Sequence, residues 1–435
     1  MIVVFGFLIL ALLIKDTVPI GDVYVLRSLS QGIALLVGLW WFMTRGTAEA
    51  IRRYWLIGAY IGVLAWTALV SSDPMRVTLQ VFSLLAVSLF FISFAEWATL
   101  EPAAHQAALR VALYALLAVC LGSLALYKVS PALAYDQTVE RLTWDNAHRF
   151  KGLFGKPSGV AAAAGILLGL CAFTPANRII RGVGAVAASL CLYLTLSRSF
   201  WIGSIVALII TAVFYVRQKR WLIVGGTVGA VLAIAVVIFV PLKLPAVGQS
   251  KMLRAESLEN LSGRTAVWSM ALDRFWDRPV LGYGYTVGHH AFFSSRNGRT
   301  GELGSEQVDL LQKETFSLHN GYVQALLDSG AVGAIFYVLI MALTLWRIVR
   351  SDLDRRHPVV LYGVVFLGIA NIGETVVYTP ATFHAAFYWY AAAVALSLAG
   401  ARATPAPDQV PEPPPPSPMQ TFRYPLVSRP APRGG

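Results

Sequence analysis

Charge is what this chain has least of. Of its 435 residues only 13% are charged, against 57% hydrophobic, and the mean hydropathy is +0.62. One core cannot bury so much apolar surface, so the composition excludes an ordinary soluble enzyme and calls for a polytopic membrane protein. Cysteine is also scarce. The three present, Cys120, Cys171 and Cys191, all fall inside apolar runs, which excludes a disulfide framework and offers no zinc spacing. The sequence has no nucleotide-binding motif, no metal-ligand set and no internal repeat that would mark inverted halves. The net charge of +12 does not imply nucleic acid, because much of it lies in short connections, while residues 241–318 balance nine Lys/Arg against eight Asp/Glu.

What is abundant is apolar length. Runs at 2–14, 27–43, 54–71, 77–95, 108–126, 158–174, 182–197, 200–216, 222–240, 331–349, 358–376 and 383–400 predict an all-α polytopic membrane protein of about twelve transmembrane helices. The first is short and has no basic leader, and reads as a clipped or tilted span more than as a signal peptide. Arg45, Arg52 and Arg53, then Arg178 and Arg181, then Arg217, Lys219 and Arg220, then Arg347, Arg350, Arg355 and Arg356 occupy alternate connections. The positive-inside rule makes these cytoplasmic and puts both termini inside. Residues 127–157, the Ser197–Ser199 turn and the long 241–318 loop then face outward. Residues 1–148 form N-terminal spans and a first outer loop, 149–240 central spans, 241–330 the large outer loop, and 331–400 C-terminal spans. Eleven of the 22 prolines crowd into 405–432, so 401–435 reads as a disordered cytoplasmic tail.

The residues that could carry chemistry lie on the outer side. In HNGYVQALLDSGAVG (319–333), Ser317 is a plausible cap for a short helix beginning at His319 and stopping at Gly330. A ring in that first turn would stay neutral under the helix dipole and serve as a general base. Arg198 sits in a turn so short that two spans nearly fuse, and its charge breaks the positive-inside pattern. Its position alone suits a snorkelling Arg that orients the hairpin equally well, and the break in the positive-inside pattern tips the reading towards function. Arg264 occupies the first turn of an interfacial amphipathic helix read from SGRTAVWSMALDRFWDRP (262–279), with Ser262 or Gly263 as cap and Ala266, Met270 and Phe275 as its apolar face. An anion shared with the helix N-terminus would accommodate that cation, although a solvated helix start is the commoner case. Trp268 and Trp276 suit the headgroup level. Arg149, Lys151 and Lys156 in RFKGLFGKPSG (149–159) suit either a phosphate or anionic lipid. His289-His290 has no further ligand beside it and reads as a loop. Gly282 and Gly284 predict a tight turn, and Glu374, near the outer end of a span, is expected to pair with an outer Arg.

A neutral His with convergent arginines, no metal set and an outward location points to a donor that brings its own activation. A glycan or acyl group on a lipid pyrophosphate fits, with Arg meeting the departing diphosphate and His deprotonating the attacking hydroxyl.

On His319-Asn320 followed by Gly330 and Gly333, the Ser197-Arg198 turn, Gly263-Arg264 with Trp268, the RFKGLFGKPS segment and the Gly-Tyr-Gly turn, the chain resembles the bacterial O-antigen ligase and polymerase superfamily. The resemblance covers about residues 149–333. It implies a GT-C-like fold in the bacterial inner membrane with its active site facing the periplasm. It implies inverting, metal-independent and cofactor-free transfer of a glycan from undecaprenyl pyrophosphate, with His319 as catalytic base and Arg198 and Arg264 on the pyrophosphate. Arg149, Lys151 and Lys156 would add substrate contacts, and Asn320, Tyr322 and Glu374 would support the site. A ligase delivers the glycan to lipid A-core and a polymerase to a second lipid-linked unit; the His-Asn…Gly…Gly form leans to ligase. The competing class is a lipid-linked oligosaccharide transporter, which would bury charge or broken helices near the midplane, whereas these spans are nearly free of charge.

The topology is testable by cysteine labelling. With the native cysteines replaced, a single cysteine at position 300 is expected to react with an impermeant maleimide from the outer side of the inner membrane; labelling only after the cytoplasm is opened would overturn the arrangement.

Overall fold

The computed structural model describes residues 1–17, 23–136, 149–215, 264–288, 318–350, 357–378 and 382–400. The apolar runs fold as helices, since only intrasegment hydrogen bonds satisfy a backbone that meets no water. In chain order these are α1 (Ile2–Thr17), α2 (Val23–Arg45), α3 (Ala48–Trp66) with a 3-10 turn (Thr67–Val70), α4 (Pro74–Leu100), α5 (Pro102–Val129), α6 (Pro131–Ala134), α7 (Pro157–Phe173), α8 (Arg178–Thr195), α9 (Arg198–Tyr215), α10 (Arg264–Phe275), α11 (Gly321–Arg350), α12 (Pro358–Gly373) and α13 (Phe383–Gly400). Eleven of the twelve apolar runs coincide with helices; the run at 222–240 lies outside the described residues. Among the described residues six helices are long and apolar enough to cross a membrane, and α7, α12 and residues Ile2–Ile14 are shorter apolar helices. The protein is thus an all-α polytopic membrane protein. One small addition is a two-residue antiparallel pair, β1 (Tyr135–Asp136) with β2 (Arg149–Phe150), in which Asp136 faces Arg149.

Local chemistry sets the helix ends. Thr47 accepts from the Ala50 amide at 3.1 Å, Asp73 from Arg76 at 3.0 Å and Asn177 from Ile179 at 2.8 Å, so α3, α4 and α8 start where side chains replace missing carbonyl partners. Prolines open α4, α5, α7 and α12, where no amide partner is needed. Arg181 donates to the carbonyls of Cys171 (2.6 Å) and Ala172 (2.8 Å), closing the C-terminus of α7. All three cysteines are buried and free, as packing groups should be.

The helices pack through small residues and rings. Ala161, Ala162, Ala163 and Ala164 of α7 are buried, and Tyr362 of α12 donates to the Gly165 carbonyl at 2.7 Å. In the same bundle α9 lies along α12, and α3 along α11. Leu36, Trp40, Leu79, Val186 and Ile335 remain exposed on outer helix faces, as lipid contact requires. Arg53, Arg178, Arg181, Arg347 and Arg350 sit at the helix ends remote from Ser197, His319 and Gly373. Two faces of different chemistry result.

The expected stop at Gly330 is a break within α11. Gly330 adopts φ 63° and ψ −169°, and the chain then resumes the helix to Arg350. The turn 278–288 stitches this break. Ala331 and Val332 donate to the carbonyls of Pro279 (2.7 Å) and Val280 (3.3 Å), while Tyr283 and Gly284 donate to those of Leu327 (3.1 Å) and Asp328 (2.8 Å). The buried Asp328 carboxylate accepts from the amides of Thr286 (2.8 Å) and Gly288 (2.9 Å) and from the Gln324 amide (2.7 Å). Gly282, at φ 67°, crosses so closely that a Cβ would come within 2.6 Å of the Asp328 and Gly330 backbone. Gly330→Ala is therefore expected to cost about 1–3 kcal/mol, from its positive φ and its collision with Val280. A melting temperature in detergent equal to wild type would overturn this account.

Candidate functional site

His319 begins as a backbone problem. It lies in the left-handed region at φ 51°, which costs energy for a non-glycine residue and persists only where neighbours enforce it. Those neighbours are all anchored. Leu318 donates its amide to Gln324 Oε1 (3.2 Å), and its carbonyl accepts from Trp268 Nε1 (2.8 Å). On the other side Asn320 accepts from the amides of Tyr322 (3.0 Å) and Val323 (3.1 Å) and caps α11.

The expected placement of His319 in the first helical turn is thus corrected by one element. The helix starts at Gly321, Asn320 is its cap, and His319 precedes both. Ser317 lies outside the described residues. With the ring ahead of the helix, what faces it is a carboxylate: His319 Nδ1 lies 2.7 Å from Glu374 Oε2. This sets a histidine against Glu374, a partner that the sequence did not point to. The His side chain is 48% exposed and that of Glu374 only 9%, so the imidazole stands between a buried anion and the open side. With Nδ1–H donating to Glu374, Nε2 carries the lone pair. Asn320 consequently fixes the backbone, and Glu374 fixes the ring.

Glu374 follows the last residue of α12, and that residue, Gly373, lies against Ser199 of α9: a Cβ there would come within 2.6 Å of the Ser199 Cβ. The α12 end and the α9 start therefore emerge side by side, bringing Arg198 into the neighbourhood of the His–Glu pair. Leu196 takes a left-handed conformation to end α8, and α9 begins two residues later, so the hairpin is as tight as the sequence predicts. Arg149 joins this turn, donating from Nε to the Thr195 carbonyl (3.3 Å) and from a terminal nitrogen to Ser197 Oγ (2.7 Å). Arg149 thus reaches the turn that carries Arg198. Lys151 and Lys156 sit on the segment between Arg149 and α7. That segment is folded over the end of α5 by the amides of Lys151 (2.9 Å) and Gly152 (3.1 Å) to the Ala134 carbonyl and by Leu153 to Ser123 Oγ (3.1 Å).

Arg264 is the first residue of α10, as predicted. One turn later Trp268 makes its bond to Leu318, which carries this helix start to the His319 segment. The indole is therefore a docking group, while Trp276 is exposed. The packed face of α10 is Val267, Met270 and Ala271 against Leu318 and Leu327, shifted from the expected one, and Phe275 instead meets the Trp276 ring. Tyr322 donates to the Gly368 carbonyl at 3.0 Å, tying α11 to α12. His289-His290 and Ser262-Gly263 lie outside the described residues.

Asp328, Gln324 and Asn371 were passed over in the sequence. Asp328 carried a signal, being a carboxylate inside a buried apolar pattern.

Residues 183–338 match the family model described as O-antigen ligase, a span that takes in Arg198, Arg264, His319 and the Gly330 break. The chain is also similar to the exopolysaccharide production protein ExoQ of Rhizobium meliloti (strain 1021), 25% identical over 220 residues. That alignment covers 49% of this chain and 44% of the relative, so the chain matches less than half of the relative's length.

Proposed function

We propose that this protein is a membrane glycosyltransferase that moves a glycan from undecaprenyl pyrophosphate to a sugar hydroxyl on the periplasmic face of the inner membrane. The observation that carries this reading is the His319–Glu374 pair with its half-exposed ring, Glu374 standing where the end of α12 packs on the start of α9. Glu374 holds Nδ1–H, leaving Nε2 to accept the proton of the acceptor hydroxyl. The freed oxygen attacks the anomeric carbon from the face opposite the phosphate, the carbon–oxygen bond to the diphosphate breaks, and the electron pair leaves on the diphosphate. Arg198 and Arg264, with Arg149, Lys151 and Lys156 around them, meet that charge. The configuration inverts in one displacement. Asn320 and Tyr322 keep the α11 start in place.

The family description, O-antigen ligase, supports a ligase, whose acceptor would be lipid A-core. The exopolysaccharide wording of the relative's name supports a second reading, a polymerase whose acceptor is another lipid-linked unit. The two share every step above and differ in the acceptor.

His319→Ala is expected to fold, insert and bind lipid-linked donor, and to lose transfer by roughly 100- to 10,000-fold. Near wild-type transfer by purified His319→Ala with defined donor and acceptor removes the base from the mechanism.

Arg198→Ala is expected to lose about 3–4 kcal/mol of transition-state stabilisation, in the range of a missing oxyanion donor. Arg198→Lys should recover little, because an ammonium lacks the bidentate fork. Normal turnover by the Lys variant would reduce Arg198 to a membrane anchor.

A further inference from the structure

Asn371 lies one turn before Glu374, has no exposed surface and belongs to no motif noted above. Its Oδ1 accepts from the amides of Val376 (3.2 Å) and Val377 (3.1 Å), and its Nδ2 donates to the Tyr337 hydroxyl at 3.0 Å. The amide orientation is determined, since the flipped form would turn donors onto two N–H groups. Glu374 donates its own amide to the Ala370 carbonyl at 2.9 Å. The short extended stretch carrying the Glu374 side chain is therefore pinned at both ends, by the last turn of α12 and by the Asn371 carboxamide.

The same carboxamide touches the other half of the pair. Gly321, first residue of α11 and two after His319, packs directly on it, and a Cβ at Gly321 would collide with both of its polar atoms. Tyr337, which receives the Nδ2 bond, belongs to α11 as well, and its ring meets those of Tyr322 (5.9 Å), Tyr378 (5.5 Å) and Tyr60 (6.1 Å). Asn371 thus contacts the segment bearing the carboxylate, the helix start beside the imidazole, and the tyrosine cluster beneath both. A buried amide with all its partners in place holds one geometry.

We infer that Asn371 is a positioning residue that sets the Glu374–His319 hydrogen bond by locking the 374–377 turn against the start of α11. This rests on His319 acting as the base. Asn371 itself touches no substrate; it acts through Glu374.

The test uses full-length protein in lipid, with wild type, Glu374→Gln, Asn371→Ala, Gly321→Ala and the Asn371→Ala/Glu374→Gln double variant. Two readouts are taken: kcat and KM for lipid-linked glycan donor at saturating acceptor, and the Nδ1 proton resonance of His319 in histidine-labelled protein, assigned by its loss in His319→Gln. Asn371→Ala is expected to lower kcat by about 10- to 100-fold, the scale of a small misplacement of a reacting group, with donor KM unchanged. It should add little to Glu374→Gln, because two residues acting through one bond are not additive. The downfield Nδ1 proton should move upfield in both Asn371→Ala and Gly321→Ala, and the glycine variant carries the test if the alanine at 371 does not fold. An unmoved resonance in the folded variants, or an undiminished further loss in the double variant, overturns the inference. A resonance that moves in a protein whose wild type transfers no glycan supports the positioning role and overturns the transferase reading instead.

Discussion

A helix broken beside an apolar core exposes amides and carbonyls that have no water to turn to, and the rest of this end of the molecule is arranged around satisfying them. The break in α11 at Gly330 is closed by the 279–284 backbone, and Asp328 extends the closure to Thr286 and Gly288. Because the stitched turn follows α10, the same bonds hold α10 beside α11, and Trp268 then reaches Leu318. The position of His319 follows from backbone bookkeeping two turns away.

Two buried carboxylates divide the work at this end of the molecule. Asp328 accepts from the neutral amides of Thr286, Gly288 and Gln324, so it acts as a clamp. Glu374 faces the His319 ring nitrogen at 2.7 Å, and a desolvated carboxylate with such a partner fixes which nitrogen carries the proton. Carboxylates of similar burial thus serve structure in one case and the ring's tautomer in the other, according to what faces them.

Much of this was legible in the sequence, for identifiable reasons. Spans are long and apolar, and the bilayer leaves them one backbone conformation, so the helices, the Ser197 hairpin and the stop at Gly330 could be read directly. His319, Arg198 and Glu374 stood out because polar residues beside spans are costly. What escaped was pairing across distance. Nothing local says that Glu374 meets a histidine 55 positions earlier, that Trp268 turns from the lipid to a carbonyl, or that His319 precedes the cap instead of following it. Asn371 was invisible for a different reason: a lone amide near a helix end looks like any other until its three partners are known.

The bonds at Gln324 and Asp328 have one more consequence. The chain leaves the described fold at Gly288, bound to Asp328, and returns at Leu318, bound to Gln324, and these two side chains lie one turn apart on α11 and bond each other at 2.7 Å. Everything between them starts and ends at a single point. The fold thus releases and recovers the chain at one turn of α11, and His319, the residue after Leu318, takes its place from that turn.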